Sequence, residues 1–124
     1  MQIRKVISGG QTGVDQAALR ASVASGIPIA GWCPPGRTCE DGVIPEEFPL
    51  RVCLDPGTNF ARQCSFHFKK PCAIEDPSEP LSQARSRKWI EENSIAMLNV
   101  AGPSEKTQPG IGQLVYIFLM ELLG

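Results

Sequence analysis

Apolar positions along this chain come in short bursts separated by polar stretches rich in glycine and proline. Ile3, Val6 and Ile7 form the first burst and run straight into Ser8, Gly9 and Gly10. After Gly13 the spacing turns helical. Val14 to Ser25 carries Ala17, Ala18, Leu19, Ala21 and Val23, small residues that suit a helix lying close on a sheet, and Gly26 ends it. Ile27 to Ala30 reads as a second strand, with Pro28 tolerable near its start. Leu50 to Leu54, Pro71 to Glu75 and Ile95 to Val100 predict three more strands. The last is almost wholly apolar, as expected of a central parallel strand covered on both faces. Between them lie a predicted helix over Asn59 to Phe68 and a charged surface helix over Leu81 to Asn93. In the latter, Arg87–Glu91 and Lys88–Glu92 are spaced for i,i+4 pairs. Gly110 to Leu123 is a final helix. This alternation predicts an α/β fold: one Rossmann-like domain over residues 1–124, with a doubly wound parallel sheet of about five strands.

Ligands of such sheets bind outside the carboxyl ends of the strands. Three glycine-bearing turns fall at that edge, 8–13, 55–58 and 101–109, and together they line one crevice. In the first, strand, glycines and helix follow in the order that aims backbone N–H groups and a helix N-terminus at an anion. Thr12 and Asp15 stand at capping-box spacing. No Lys follows the last glycine as in a Walker loop, and Gly9/Gly10/Gly13 does not space as GxGxxG. An ordinary tight strand-to-helix turn is the competing reading. The loop 31–42 hangs over the same edge, where Arg37 reaches a phosphate or is merely solvated. Trp32 there stacks on a ring or anchors the loop. Thr58, behind Gly57, is a further helix cap facing an anion.

Twelve basic and thirteen acidic residues in 124 leave a net charge of −1, which argues against nucleic acid or a membrane surface as the main partner. The longest apolar run, Leu114 to Met120, is too short to span a bilayer, and no signal-like segment opens the chain, so a cytoplasmic location is expected. Five cysteines without a CxxC pair and a single histidine, His67, give a zinc site or a histidine-based triad little to build on. Reduced thiols are expected, and neither a metal ligand nor a catalytic residue is assigned. The final helix has one apolar stripe of Ile111, Leu114, Val115, Phe118, Leu119 and Leu122, and a second of Ile117, Met120 and Leu123. One stripe covers a sheet. The other needs a neighbouring helix or a second copy, which predicts a homo-oligomer through this helix.

The stretch Ile7-Ser8-Gly9-Gly10-Gln11-Thr12-Gly13-Val14-Asp15 resembles one found in the family named putative molybdenum cofactor carrier proteins, within the LOG-like Rossmann superfamily. So do Gly31-Trp32-Cys33-Pro34 through Gly36-Arg37 to Glu40-Asp41-Gly42 and Ile44-Pro45. Leu98-Asn99-Val100-Ala101-Gly102-Pro103-Ser104-Glu105 and Pro109-Gly110-Ile111 resemble it as well. The resemblance implies that molybdenum cofactor (molybdopterin) or a nucleotide, a small phosphorylated ligand, is held without chemistry. Its binding residues would be Gly9, Gly10, Gln11, Thr12, Gly13, Asp15, Trp32, Arg37, Gly57, Thr58, Asn99, Gly102, Ser104 and Glu105. The chain departs from the family pattern in its middle. There Pro49-Leu50-Arg51 runs almost directly into Asp55-Pro56-Gly57-Thr58, without an intervening strand-and-loop unit. Two alternatives stand beside the carrier reading: a phosphoribohydrolase of the same superfamily and an interaction-only domain. The hydrolase signature carries a catalytic Glu, and aligning its Gly-Thr with Gly57-Thr58 puts Ala61 at that position, which disfavours hydrolysis.

Overall fold

The computed structural model describes residues 3–33, 35–52 and 70–124. The first strand, β1 (Lys5–Ser8), passes through the glycine turn into helix α1 (Val14–Ala24), which returns to β2 (Ile29–Cys33). A single 3-10 turn (Pro35–Arg37) leads to a two-residue hairpin of β3 (Thr38–Cys39) and β4 (Gly42–Val43), and β5 (Arg51–Val52) follows. Helix α2 (Ser82–Glu92), strand β6 (Met97–Asn99) and helix α3 (Ile111–Leu123) complete the described elements. Among the described residues the sheet is four-stranded and parallel in the order β5-β2-β1-β6. The α/β class and the parallel sheet are therefore as read from the pattern, with one strand fewer.

The strand expected over Pro71–Glu75 is not among the described elements, and Cys72, Ala73 and Ile74 are exposed, Ile74 by 71%. A proline at its start has no N–H to give a ladder. What anchors this stretch is its end: Glu75 accepts hydrogen bonds from Ser82 and Arg85 at the start of α2. Arg85 also pairs with Glu79. The expected helix 59–68 and the part of the third strand beyond Val52 lie outside the described residues.

Register sorts the sheet into two faces. Val6 lies beside Ile29 and Leu98, and Val6 and Leu98 are buried among residues of α1 and α3. On the other face, Ile7 lies beside Ala30 and Asn99, and Lys5 beside Met97. Met97 is 58% exposed there, so β6 is not the doubly covered central strand its composition suggested. Among the described strands it is an edge strand, and in it only Leu98 is buried.

Among the described residues, two apolar clusters fill the interior. The larger joins Val6 and Leu98 of the sheet to Val14, Ala17, Ala18 and Ala21 of α1, Ile90 of α2, and Ile111, Val115, Leu119 and Leu122 of α3. The alanines of α1 thus let α3 approach as well as the sheet. The smaller cluster is Leu19, Cys33, Ile44, Phe48 and Leu50. Only α1 contributes to both. Helix α3 also meets α2, whose Gln83 and Arg87 donate to the carbonyls of Phe118 and Glu121, and of its second stripe Met120 and Leu123 pack against the larger cluster. Arg87 is thereby taken from its expected partner Glu91, whereas Lys88–Glu92 forms at 3.7 Å. Ile117 stays 48% exposed.

Candidate functional site

The turn between β1 and α1 is built on two glycines. Gly10 has φ +85°, and a Cβ there would lie 2.5 Å from Leu50 Cδ1. Gly13 has φ +82°, and its Cβ would fall 2.6 Å from Pro103 O. A side chain at either position would be strained in backbone and in space. Because β2 and β6 flank β1, the chain changes direction here, and the turn after β6 packs on the turn after β1. Val14 N donates to Pro103 O, and Glu105 N donates to the Thr12 hydroxyl. Two of the three glycine turns predicted at this edge are thus in contact; the third, 55–58, lies outside the described residues.

Carboxylates hold the turns in shape. Gly13, not Thr12, is the N-cap of α1, and the Thr12–Asp15 capping box does not form. Instead Asp15 Oδ2 accepts from Gln11 N at 3.3 Å. Burial pushes the Asp15 carboxyl up from 3.8 to about 6, against the Gln11 N–H and the Ser8 hydroxyl, which hold it down. Thr12 donates to Glu40 Oε1 at 3.2 Å, and Gln11 Oε1 accepts from both Thr12 N and Glu40 N. The tip of the β3–β4 hairpin is in this way pinned to the glycine turn. Glu105 does the same for α3, taking hydrogen bonds from Gly110 N at 2.6 Å and Gly112 N at 3.0 Å. It occupies the helix N-terminus as a bound anion would.

Beside these turns opens a cavity of about 390 Å³, lined by Thr12, Gly13, Gln16, Ala17 and Arg20 from the α1 side, and by Glu105, Gly112, Gln113 and Tyr116 from the α3 side. Asp41, at the hairpin tip, completes it. Gln16 is buried and donates to Gly10 O at 3.0 Å. Arg20, the basic residue of the lining, has its guanidinium 5.5 Å from the centre of the Phe48 ring, a position fixed by cation–π attraction.

A family model matches the chain over residues 6–55 and 51–123, and its description is the circularly permutated YpsA SLOG family. The chain belongs to that family. A crystal structure of a "Putative molybdenum carrier protein" from Syntrophus aciditrophicus SB resembles this cpYpsA chain with a TM-score of 0.82 and 30% identity, covering 98% of this chain and 94% of that one. Among curated proteins none matches.

In this cpYpsA member the structure gathers Gly9, Gly10, Gln11, Thr12, Gly13, Asp15, Gly102, Ser104 and Glu105 around the two packed turns. Ser104 is engaged within its own loop, with Thr107. Trp32 is the penultimate residue of β2, 52% exposed, and its carbonyl lies near Gly9. Asn99 sits on the sheet face opposite Val6. Arg37 turns inward to the chain itself, donating to the carbonyls of Pro45, Phe48 and Leu50. Gly57 and Thr58 lie outside the described residues. Sequence reasoning missed Gln16, Arg20, Asp41, Gln113 and Tyr116 as cavity residues. A signal for the first two was available, since polar residues at i and i+4 interrupt the otherwise apolar face of α1.

Proposed function

We propose that this protein binds a phosphorylated pterin or nucleotide in the cavity between the glycine turn and the first turn of α3, and carries it without chemical change. The observation that carries this reading is the cavity itself, at the carboxyl edge of the sheet and with Arg20 held in its wall. Its size suits a small heterocyclic ligand. The SLOG family and the name of the molybdenum carrier neighbour support a ligand-binding role, and they make molybdopterin a natural cargo. No group of three or more metal-ligating side chains exists among the described residues. The grip would therefore be on the organic part and its phosphate. Retention without hydrolysis fits the carboxylates of Glu40 and Glu105, which are tied to Thr12 and to the start of α3. Association of copies through α3 belongs to the same proposal and rests on Ile117, the large apolar side chain that α3 leaves exposed. Sedimentation of an Ile117→Glu variant tests it.

The binding test is titration calorimetry with GMP and guanosine. GMP is expected to bind at least about tenfold more tightly, the worth of a charge-assisted contact to phosphate. Arg20→Gln removes most of that difference, and no free guanine accumulates. Equal affinity for nucleoside and nucleotide, or release of base, would overturn the reading.

A further inference from the structure

Of the three carboxylates near the cavity, two are committed. Glu40 accepts from Thr12, and Glu105 holds Gly110 N and Gly112 N. Asp41 is different: it lines the cavity and has no hydrogen bond or ion pair to any described residue. Its place is nonetheless well defined. It occupies the two-residue tip of the β3–β4 hairpin, and the neighbouring Glu40 is fastened by its own N–H to Gln11 Oε1 at 2.8 Å and by its carboxylate to Thr12. Behind the tip, Ile44 N donates to Arg37 O at 2.7 Å. Gly13 and Gly112, also in the lining, let the starts of α1 and α3 meet, with a Cβ on Gly112 falling 3.5 Å from Gly13 Cα. Ala17 adds a further small wall.

An ionised carboxylate only accepts hydrogen bonds, through two oxygens side by side. The ring edge that matches it offers two adjacent N–H donors. A 2-amino-4-oxopyrimidine has this edge, an exocyclic NH₂ beside a ring N–H, in guanine and in pterins alike. Adenine and cytosine present an acceptor beside their amino group, and hypoxanthine and lumazine lack the 2-amino group. We infer that Asp41 is the specificity-determining residue of this cavity and selects ligands with a 2-amino-4-oxopyrimidine edge, while Arg20 faces the anionic end. The inference rests on the binding reading above and names its substrate class. Because the hairpin tip is already fastened before a ligand arrives, little ordering is required to present the carboxylate.

Two pairs of ligands that differ in the 2-amino group decide it: GMP against IMP, and pterin-6-carboxylate against lumazine-6-carboxylate. Each is titrated calorimetrically into the protein and into Asp41→Asn. The amino member of at least one pair is expected to bind about tenfold or more tightly, because a site built for a donor penalises its absence. The pair that shows the preference identifies the source, nucleotide or pterin. Asp41→Asn should erase the preference while leaving the weaker member within about threefold. Equal binding within both pairs, or a preference that survives in Asp41→Asn, overturns the role of Asp41 and leaves the binding reading standing. Failure of all four ligands to bind overturns both.

Discussion

Asp15 should make the protein lose stability as the pH rises, the reverse of the usual carboxylate. Its carboxyl is pushed up from 3.8 to about 6 by burial, so between those values the folded chain holds a proton that the unfolded chain has released. The protonated acid's contribution is complete below about pH 4 and is lost as the pH climbs through about 6. At about 1.4 kcal/mol per pH unit the rise corresponds to roughly 3 kcal/mol, with water entry into a partly buried site lowering the figure toward 2. Asp15→Asn keeps an oxygen for Gln11 N and removes the titration. Urea unfolding followed by tryptophan fluorescence, at intervals from pH 4 to pH 8, gives the difference between variant and wild type. That difference should move by about 2–3 kcal/mol in favour of the variant across the window and be flat above about pH 7. A difference independent of pH would mean that the carboxyl is solvated, and the burial described for Asp15 would be wrong.

Gly10→Ala should cost about 1–3 kcal/mol, because the new Cβ meets Leu50 and Ile44 in a left-handed backbone; thermal unfolding checks it. Larger residues at Gly10 would unfold the turn rather than block binding selectively. Arg37→Gln should lower stability by about 2–3 kcal/mol through the lost contacts to the carbonyls at 45, 48 and 50, and leave GMP affinity within about twofold by calorimetry. Glu105→Gln should weaken the start of α3 by about 0.5–2 kcal/mol, read as faster amide exchange at Gly110 and Gly112.

What could be read from the sequence was whatever is local in the chain. Helix α1 appears at Val14–Ala24 against an expected Val14–Ser25, and α3 at Ile111–Leu123, because a 3.6-residue apolar period survives any environment. Strand β1 and its glycine turn were legible for the same reason. Pro71–Glu75 misled because a short apolar burst specifies only a wish to be covered, and strand pairing depends on a neighbour far away in sequence. The parts of the site that escaped are non-local too. Arg37 was assigned to a ligand, yet its three acceptors lie 8 to 13 residues away in a loop without repeating structure. Glu105 was expected to bind a ligand, and it caps a helix from five residues before Gly110, outside any capping-box spacing. The cavity needed α3 laid against α1, a contact that neither helix announces alone.

The division of the interior into two clusters has a kinetic consequence. The smaller one anchors the segment from the 3-10 turn to β5 through Ile44, Phe48 and Leu50, and it reaches the larger cluster through one helix, where Leu19 faces one way and Ala17, Ala18 and Ala21 the other. Opening the smaller cluster, together with the Gln11 and Thr12 contacts to Glu40, releases the hairpin that bears Asp41 while α1, α3, β1 and β6 keep their packing. Amide hydrogens should therefore exchange in two populations, a faster one over residues 35–50 and a slower one limited by global unfolding. One wall of the cavity would then open and close as a subglobal unit on its own clock, set by the smaller cluster and by the Gln11 and Thr12 contacts to Glu40 rather than by the stability of the whole fold.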